Sequence, residues 1–300
     1  MTSTYTTIKR RMLALLGAVT LITLSGLTHA QSCDKQYAMG KAPVITNQAM
    51  TKAARPLCFN SFAVMHSGIT RTPLWSAEHL TPGGMESARK FKRTNNFHEE
   101  KQLPYNERAQ LRDYARSGYD RGHMAPSGNM PDTESQAQSF SLANMIPQDP
   151  DNNRILWEGI ESALRTRVKE SGELYIITGP LFVGANLTQL NGRVTVPAQI
   201  FKAVYDPRSK SAAAYLVDNA PGMNFEVISI AELEKKAGIN LFPGMSDAIK
   251  SRKMELPRPT PYRLESGKHT GDASGASASS KPLDVQLASI AMRQLLDWMN

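Results

Sequence analysis

The stretch from residue 174 to 217 constrains the fold most, because it packs three strand-length apolar runs, 174–183, 194–205 and 211–217, into little more than forty residues. The last two flank Asp206-Pro207-Arg208-Ser209-Lys210, a polar turn that predicts two strands folded back on each other. Upstream, 57–66 and 71–80 are apolar-rich runs separated by Ser67-Gly68-Ile69-Thr70 and read as a β-hairpin. Pro73 predicts an edge position or a bent start for its second arm. Between these groups Ile155, Leu156, Ile160, Leu164 and Val168 recur at three- to four-residue steps. That spacing predicts a helix over 154–169 with one buried face, ended by Gly172. Ser229 and Gly238 bound a second, short helix. Residues 81–118 are polar, carry Pro82-Gly83-Gly84 and the basic run Arg89-Lys90-Phe91-Lys92-Arg93, and read as a long surface excursion. The sum is an α+β domain, mostly antiparallel, over residues 31–265.

The ends differ in character. Lys9, Arg10 and Arg11 precede an apolar run and then Thr28-His29-Ala30, the order of a secretory signal peptide over residues 1–30. Export to the periplasm or the extracellular space is therefore expected, with no permanent membrane partner. Removing those three cations lowers the formal balance from +8 to about +5, which suits a polyanion less strongly than the whole chain suggests. The two cysteines, Cys33 and Cys58, fall near the start of the mature chain, where one disulfide is expected to pin the new N-terminus to the first core strand. Residues 266–282 turn to Ser, Gly and Ala and read as a flexible linker. Behind it, Val285, Leu287, Ile290, Ala291, Leu295 and Trp298 give 283–300 the pattern of an amphipathic helix.

The densest polar cluster is Tyr119-Asp120-Arg121-Gly122-His123, and a second follows at Asn144, Asn152-Asn153, Trp157 and Glu161. Among the histidines, an imidazole beside Asp and Arg suits proton transfer near neutrality, whereas His66, His79, His98 and His269 suit structural roles. The run Asp149-Pro150-Asp151-Asn152-Asn153 superficially suggests a calcium loop. Counting from Asp149, position six is Arg154 in place of glycine and position twelve is Ile160 in place of a bidentate glutamate, so that reading fails.

These spaced motifs, together with Arg71-Thr72-Pro73-Leu74-Trp75, Val196-Pro197 and Lys202, resemble the family of DNA/RNA non-specific endonucleases. The resemblance implies a ββα-metal (His-Me finger) nuclease fold with a mostly antiparallel central sheet and flanking helices. It implies an endonuclease that hydrolyses phosphodiester bonds of DNA and RNA with little sequence specificity and leaves 5′-phosphate ends. His123 would be the general base, Asn153 the protein ligand of Mg2+ (with Mn2+ as its substitute), and Glu161 an acceptor for water on that cation. Arg121 would offset phosphate charge with a second arginine, Arg93, for which Arg89 is the competitor in register. Asp120 would orient neighbours, Asn144 would hold the adjoining loop, and Gly122 would allow a turn that brings His123 to the substrate. Asn152 is the register alternative to Asn153. A homodimer or an inhibitor protein are further partners to expect. The rival from another class is a catalytically silent nucleic-acid-binding or uptake protein on the same fold, against which the presence of a general base argues.

Overall fold

A computed structural model describes residues 33–184 and 187–261. The predicted signal peptide, the linker at 266–282 and the helix at 283–300 lie outside the described residues.

In chain order, β1 (Val44–Ile45) and β2 (Ala54–Cys58) lead into β3 (Phe62–Ser67) and β4 (Thr72–Leu80). Two helices follow, α1 (Pro82–Ala88) and α2 (Leu111–Tyr114). Next come β5 (Asp120–His123), α3 (Thr133–Ser139) and β6 (Met145–Gln148). A π-helical turn over Asn152–Trp157 runs into α4 (Glu158–Ser171). The chain returns through β7 (Leu174–Leu181), β8 (Gln189–Leu190), β9 (Val194–Thr195), β10 (Gln199–Asp206), β11 (Ser211–Asp218) and β12 (Glu226–Ile228). It closes with α5 (Ile230–Ala237), β13 (Ile239–Asn240) and α6 (Asp247–Lys250).

Seven strands form one sheet in the order β12-β11-β10-β7-β4-β3-β2, with every neighbour antiparallel. Alternation along each strand divides the side chains between two cores. On β10, Phe201, Ala203 and Tyr205 join Ile230, Leu233 and Ala237 of α5 on one face. Ile200 and Val204 join Leu156, Trp157, Ile160, Leu164 and Val168 on the other. Both faces are covered, and α4 lies on the second. The helix ends at Gly172, whose φ of +84° carries the chain out of helical geometry without a Cβ penalty. Ser229 caps α5 through its side chain, and Gly238 ends it in the left-handed region.

β4 is an interior strand, but its register with β7 covers only Ser76–Leu80. Pro73 lies near its start, where the register with β3 shifts: His66 stands opposite Pro73 and Met65 opposite Trp75, and this bulge is the bent start expected of a residue that cannot donate. The structure corrects two expectations. The first arm of the expected hairpin divides: Leu57 and Cys58 end β2, and β3 begins only at Phe62. The expected surface excursion holds α1 and α2 and buries Met85, Ala88, Leu103, Ala109 and Tyr114. Cys33 and Cys58 form a disulfide that joins the start of the described chain to β2. Among the described residues no helix is long and apolar enough to cross a membrane.

Candidate active site

β5 and β6 form a separate antiparallel pair, with Asp120 opposite Gln148, Gly122 opposite Ile146 and His123 opposite Met145. The π turn and α4 follow directly, so two short strands and a helix place Asp120, His123, Asn153 and Glu161 on one ββα unit. Twenty-odd residues separate the two strands, and Asn144 clamps that connection. Its side chain is fully buried and makes four hydrogen bonds: it accepts from Ser76 Oγ (2.9 Å) and Ala125 N (3.0 Å), and donates to the carbonyls of Ala125 (2.8 Å) and Ser139 (2.9 Å). The residues just past His123 are thereby tied to β4 of the main sheet.

Gly122 sits inside β5 with no positive φ, which corrects the expectation of a turn. Its requirement is close approach. A Cβ at this position would lie 2.6 Å from Gln148 Cβ and closer still to Gln148 Oε1. Gln148 in turn donates from Nε2 to Asn152 Oδ1 (2.8 Å), and Asn152 Nδ2 donates to the carbonyl of Asp218 (3.0 Å). Both functional groups of the Asn152 side chain are therefore occupied in holding the π turn against β6 and β11.

Asn153 is different. Its Nδ2 donates to Asp120 Oδ2 (2.9 Å), and its Oδ1 has no protein donor among the described residues. Asp120 is itself held by Arg154, which donates to both carboxylate oxygens (2.8 and 2.6 Å). A bidentate guanidinium fixes the carboxylate, and the carboxylate orients the amide. Among the described residues no group of three or more His, Cys, Asp or Glu side chains is placed to hold a metal ion. The open Oδ1 is a hard, neutral oxygen, which fits a cation such as Mg2+ that keeps most of its waters.

His123 is 7% exposed and sits against two aromatic rings, Phe140 at 5.0 Å between centroids and Phe97 at 5.8 Å. Burial first, and the charge of Arg93 second, push its pKa down to about 3. The imidazole is thus neutral at physiological pH, and its Nε2 is buried with no hydrogen-bond partner. The same rings seat the two arginines: Arg121 lies 4.0 Å from the Phe97 centroid and Arg93 5.3 Å from that of Phe140. Neither guanidinium has a carboxylate partner among the described residues. Arg89, at the C-terminal end of α1, is exposed and takes no part in this cluster.

Glu161 is buried beneath the unit, and burial lifts its carboxyl to about 7 against the opposing pull of Lys202. Lys202 Nζ is wholly enclosed; it donates to Thr178 Oγ1 (2.8 Å) and to the carbonyl of Met124 (3.5 Å), and lies 5.1 Å from the Trp157 ring. Arg165 pairs with Glu158 and lies 3.7 Å from Glu161. Asn129 joins this network, donating to Glu78 Oε2 (2.9 Å). Arg154, Gln148, Glu78 and Arg165 join this cluster without having been singled out from the sequence, and Lys202 was marked only as part of the family resemblance, with no place in the site. Lys202 had a signal: a lone charge in Ile200-Phe201-Lys202-Ala203-Val204, the middle of a buried strand, needs a partner. The remaining histidines are structural in their surroundings. His66 is enclosed with Nε2 at 2.9 Å from the Glu107 carbonyl, His79 stacks on Tyr175 and pairs with Glu173, and His98 Nδ1 lies 3.0 Å from the Asn96 carbonyl. His269 lies outside the described residues.

The chain is similar to known nucleases. The family model for DNA/RNA non-specific endonucleases matches residues 40–248. Nuclease C1 of Cunninghamella echinulata var. echinulata is 30% identical over 203 residues, covering 61% of this chain and 80% of that protein. A nuclease of Nostoc sp. is 33% identical over 214 residues, covering 64% and 76%. The human mitochondrial nuclease EXOG is 28% identical over 212 residues, covering 62% of this chain and 56% of that protein. Among solved structures, EndoG in its inhibited complex with EndoGI superposes with a TM-score of 0.59 at 25% identity, covering 65% of this chain and 88% of that one. The ββα unit standing on a central antiparallel sheet is the ββα-metal nuclease fold. The chain belongs to the DNA/RNA non-specific endonuclease family.

Proposed function

We propose that this protein is an exported, Mg2+-assisted endonuclease that hydrolyses phosphodiester bonds of DNA and RNA with little sequence preference and leaves 5′-phosphate ends. The observation that carries the reading is the cluster of a neutral, enclosed His123 with two guanidiniums, Arg93 and Arg121, that have no carboxylate partner among the described residues and are seated on the rings that flank it. A neutral imidazole accepts a proton at physiological pH. The tautomer protonated at Nε2 buries its N–H among the rings and leaves Nδ1 to take the proton of the attacking water. Attack at phosphorus forms the new P–O bond as the bond to the 3′ oxygen breaks; the departing 3′ oxygen takes a proton from solvent water and leaves as a hydroxyl, so the phosphate stays on the 5′ side. Arg93 and Arg121 oppose the charge that builds on the phosphoryl oxygens, where a fork of N–H donors suits the geometry. Asn153 would hold the cation through Oδ1, and Mg2+ bound there would add positive charge against the same oxygens. Asp120 and Arg154 keep Asn153 in place, and Glu161, on the helix that follows, would accept from water on that cation.

Nothing in the site reads base edges, so binding rests on phosphate contacts and weakens with salt. The disulfide supports export, because such bonds persist in oxidising compartments. The test is cleavage of supercoiled plasmid and of a structured RNA by the mature protein, with Mg2+ and with EDTA, followed by end analysis. Products that accept kinase label only after phosphatase treatment support 5′-phosphate ends. An absence of cleavage in Mg2+ would sink the enzyme reading in favour of simple binding.

A further inference from the structure

The basic run beside Arg93 is left over once the catalytic cluster is assembled. Arg89, Lys90 and Lys92 are exposed, and none has an ion-pair partner among the described residues. Glu86 is the single acid between residues 82 and 93, and it makes no salt bridge to the run. The segment is nonetheless held at both ends. Upstream, Met85 and Ala88 of α1 are buried, and the amides of Lys90 and Phe91 donate to the carbonyls of Ser87 (3.0 Å) and Ala88 (3.3 Å). Downstream, Thr94 donates to Gln136 Oε1 from its amide (3.1 Å) and its hydroxyl (3.3 Å). Four residues span at most about 14 Å of chain, so Arg89 and Arg93 are no more than a few nucleotides apart on a bound strand.

We infer that Arg89, Lys90 and Lys92 form a phosphate-gripping track that continues from the catalytic Arg93 along the backbone of a long nucleic acid. Unpaired cations on an anchored segment neutralise phosphates at little ordering cost, and the run abuts Arg93, which lies over the Phe140 ring packed against His123. The inference rests on the nuclease reading of the same site and adds to it a preference for long polyanions over small diesters. A nucleic-acid strand is favoured over an anionic membrane because the run leads straight into the aromatic cluster that holds His123.

The experiment compares wild type with the triple variant Arg89→Gln, Lys90→Gln, Lys92→Gln. A control variant, Lys52→Gln, Lys235→Gln, Lys236→Gln, removes the same charge elsewhere, two of its three sites on α5 over the other face of the sheet. Duplex binding is measured against salt in a His123→Ala background, and kcat/KM on long DNA is compared with that on bis(p-nitrophenyl) phosphate. Each lost phosphate contact removes about 0.9 from the slope of log affinity against log salt, so the triple variant is expected to be shallower by about 2 to 3. Its ratio of kcat/KM on long DNA to kcat/KM on the small diester should fall about tenfold, chiefly through KM, while the control keeps the wild-type slope and ratio. An active wild type whose slope and ratio are unmoved in the triple variant overturns the track alone. So does an equal loss in the control, or loss of binding to anionic vesicles without loss on DNA. A wild type that neither binds nor cuts DNA overturns this inference together with the nuclease reading.

Discussion

Gly122→Ala tests whether the site depends on one close approach. An added methyl meets Gln148 Cβ at 2.6 Å, and Gln148 has no free space to yield into, since it is wholly buried and its Nε2 is bonded to Asn152. Overpacking of this kind costs about 1–3 kcal/mol. Displacing Gln148 also breaks a buried amide–amide hydrogen bond and strands Asn152 Oδ1, a further loss of about 1–3 kcal/mol. A net destabilisation of about 3 kcal/mol lowers Tm by roughly 6–12 °C for a domain of this size. The change spreads to function because Asn152 precedes Asn153 in the π turn, so the Mg2+ concentration for half-maximal activity should rise with the fall in Tm. Thermal unfolding by circular dichroism and a metal titration of plasmid cleavage read the two effects. Truncating the neighbour as well, in Gly122→Ala with Gln148→Ala, should cost less than the sum of the single changes, since the clash is then gone. A Gly122→Ala protein melting within about 1 °C of wild type, with an unchanged metal titration, refutes the reasoning.

Three other perturbations follow from the charges and the disulfide. Lys202→Met leaves Glu78 and Glu161 buried with Arg165 as their remaining cation; Glu161, already lifted to about 7, rises further, so the acidic limb of the pH–rate profile should move up by about one unit. A profile that stays in place would remove Lys202 from the electrostatics of the site. Burial holds His66 near 4, well below the ordinary 6.5, so the unfolded chain takes up its proton first as pH falls. Stability from this group is whole above about pH 6.5 and is lost as pH drops to about 4, on the order of 3 kcal/mol, and the urea midpoint of His66→Gln should fall less steeply across that window than that of wild type. Identical slopes would contradict it. Replacing Cys33 and Cys58 by serine opens a loop of 25 residues and should cost about 3 kcal/mol, seen as a Tm lower by roughly 6–12 °C; a Tm unmoved by the change or by reductant would count against it.

Much of the scaffold was legible in the sequence because it obeys simple periodicities. The apolar spacing of Ile160, Leu164 and Val168 marked α4, and Ser229 with Gly238 bracketed α5. The strands over 174–217 announced themselves as apolar runs around a polar turn, although the run at 194–205 divides into β9, which pairs with β8, and β10 of the main sheet. His123, Arg121, Asn144, Asn153 and Glu161 were singled out as candidates through spaced motifs, not periodicity, and the fold brings them onto or beside one ββα unit. Residues 120–123 and 145–148 are four-residue strands that show no alternation, so their pairing was invisible until the fold brought them together. The helix α1 was hidden by Pro82-Gly83-Gly84, which reads as a loop, although Thr81 caps the helix and Pro82 sits where its missing N–H costs nothing. Arg93 and Arg89 are equivalent as letters in a basic run. Only the three-dimensional position of Phe140 separates the arginine that reaches His123 from the one that does not. Gly122 was singled out for the wrong reason, since a turn and a close approach both call for glycine and only the second is present here.

Catalysis as proposed above turns on His123 taking the proton of the attacking water. The most direct measurement sets wild type beside His123→Ala on plasmid and RNA in Mg2+, with duplex affinity determined for both. Loss of a general base predicts a fall in kcat of about 10²–10⁴, with affinity held within a few-fold because the phosphate contacts proposed above are made by Arg93, Arg121 and the basic run and not by His123. A His123→Ala protein that turns over at near wild-type rate contradicts the assignment.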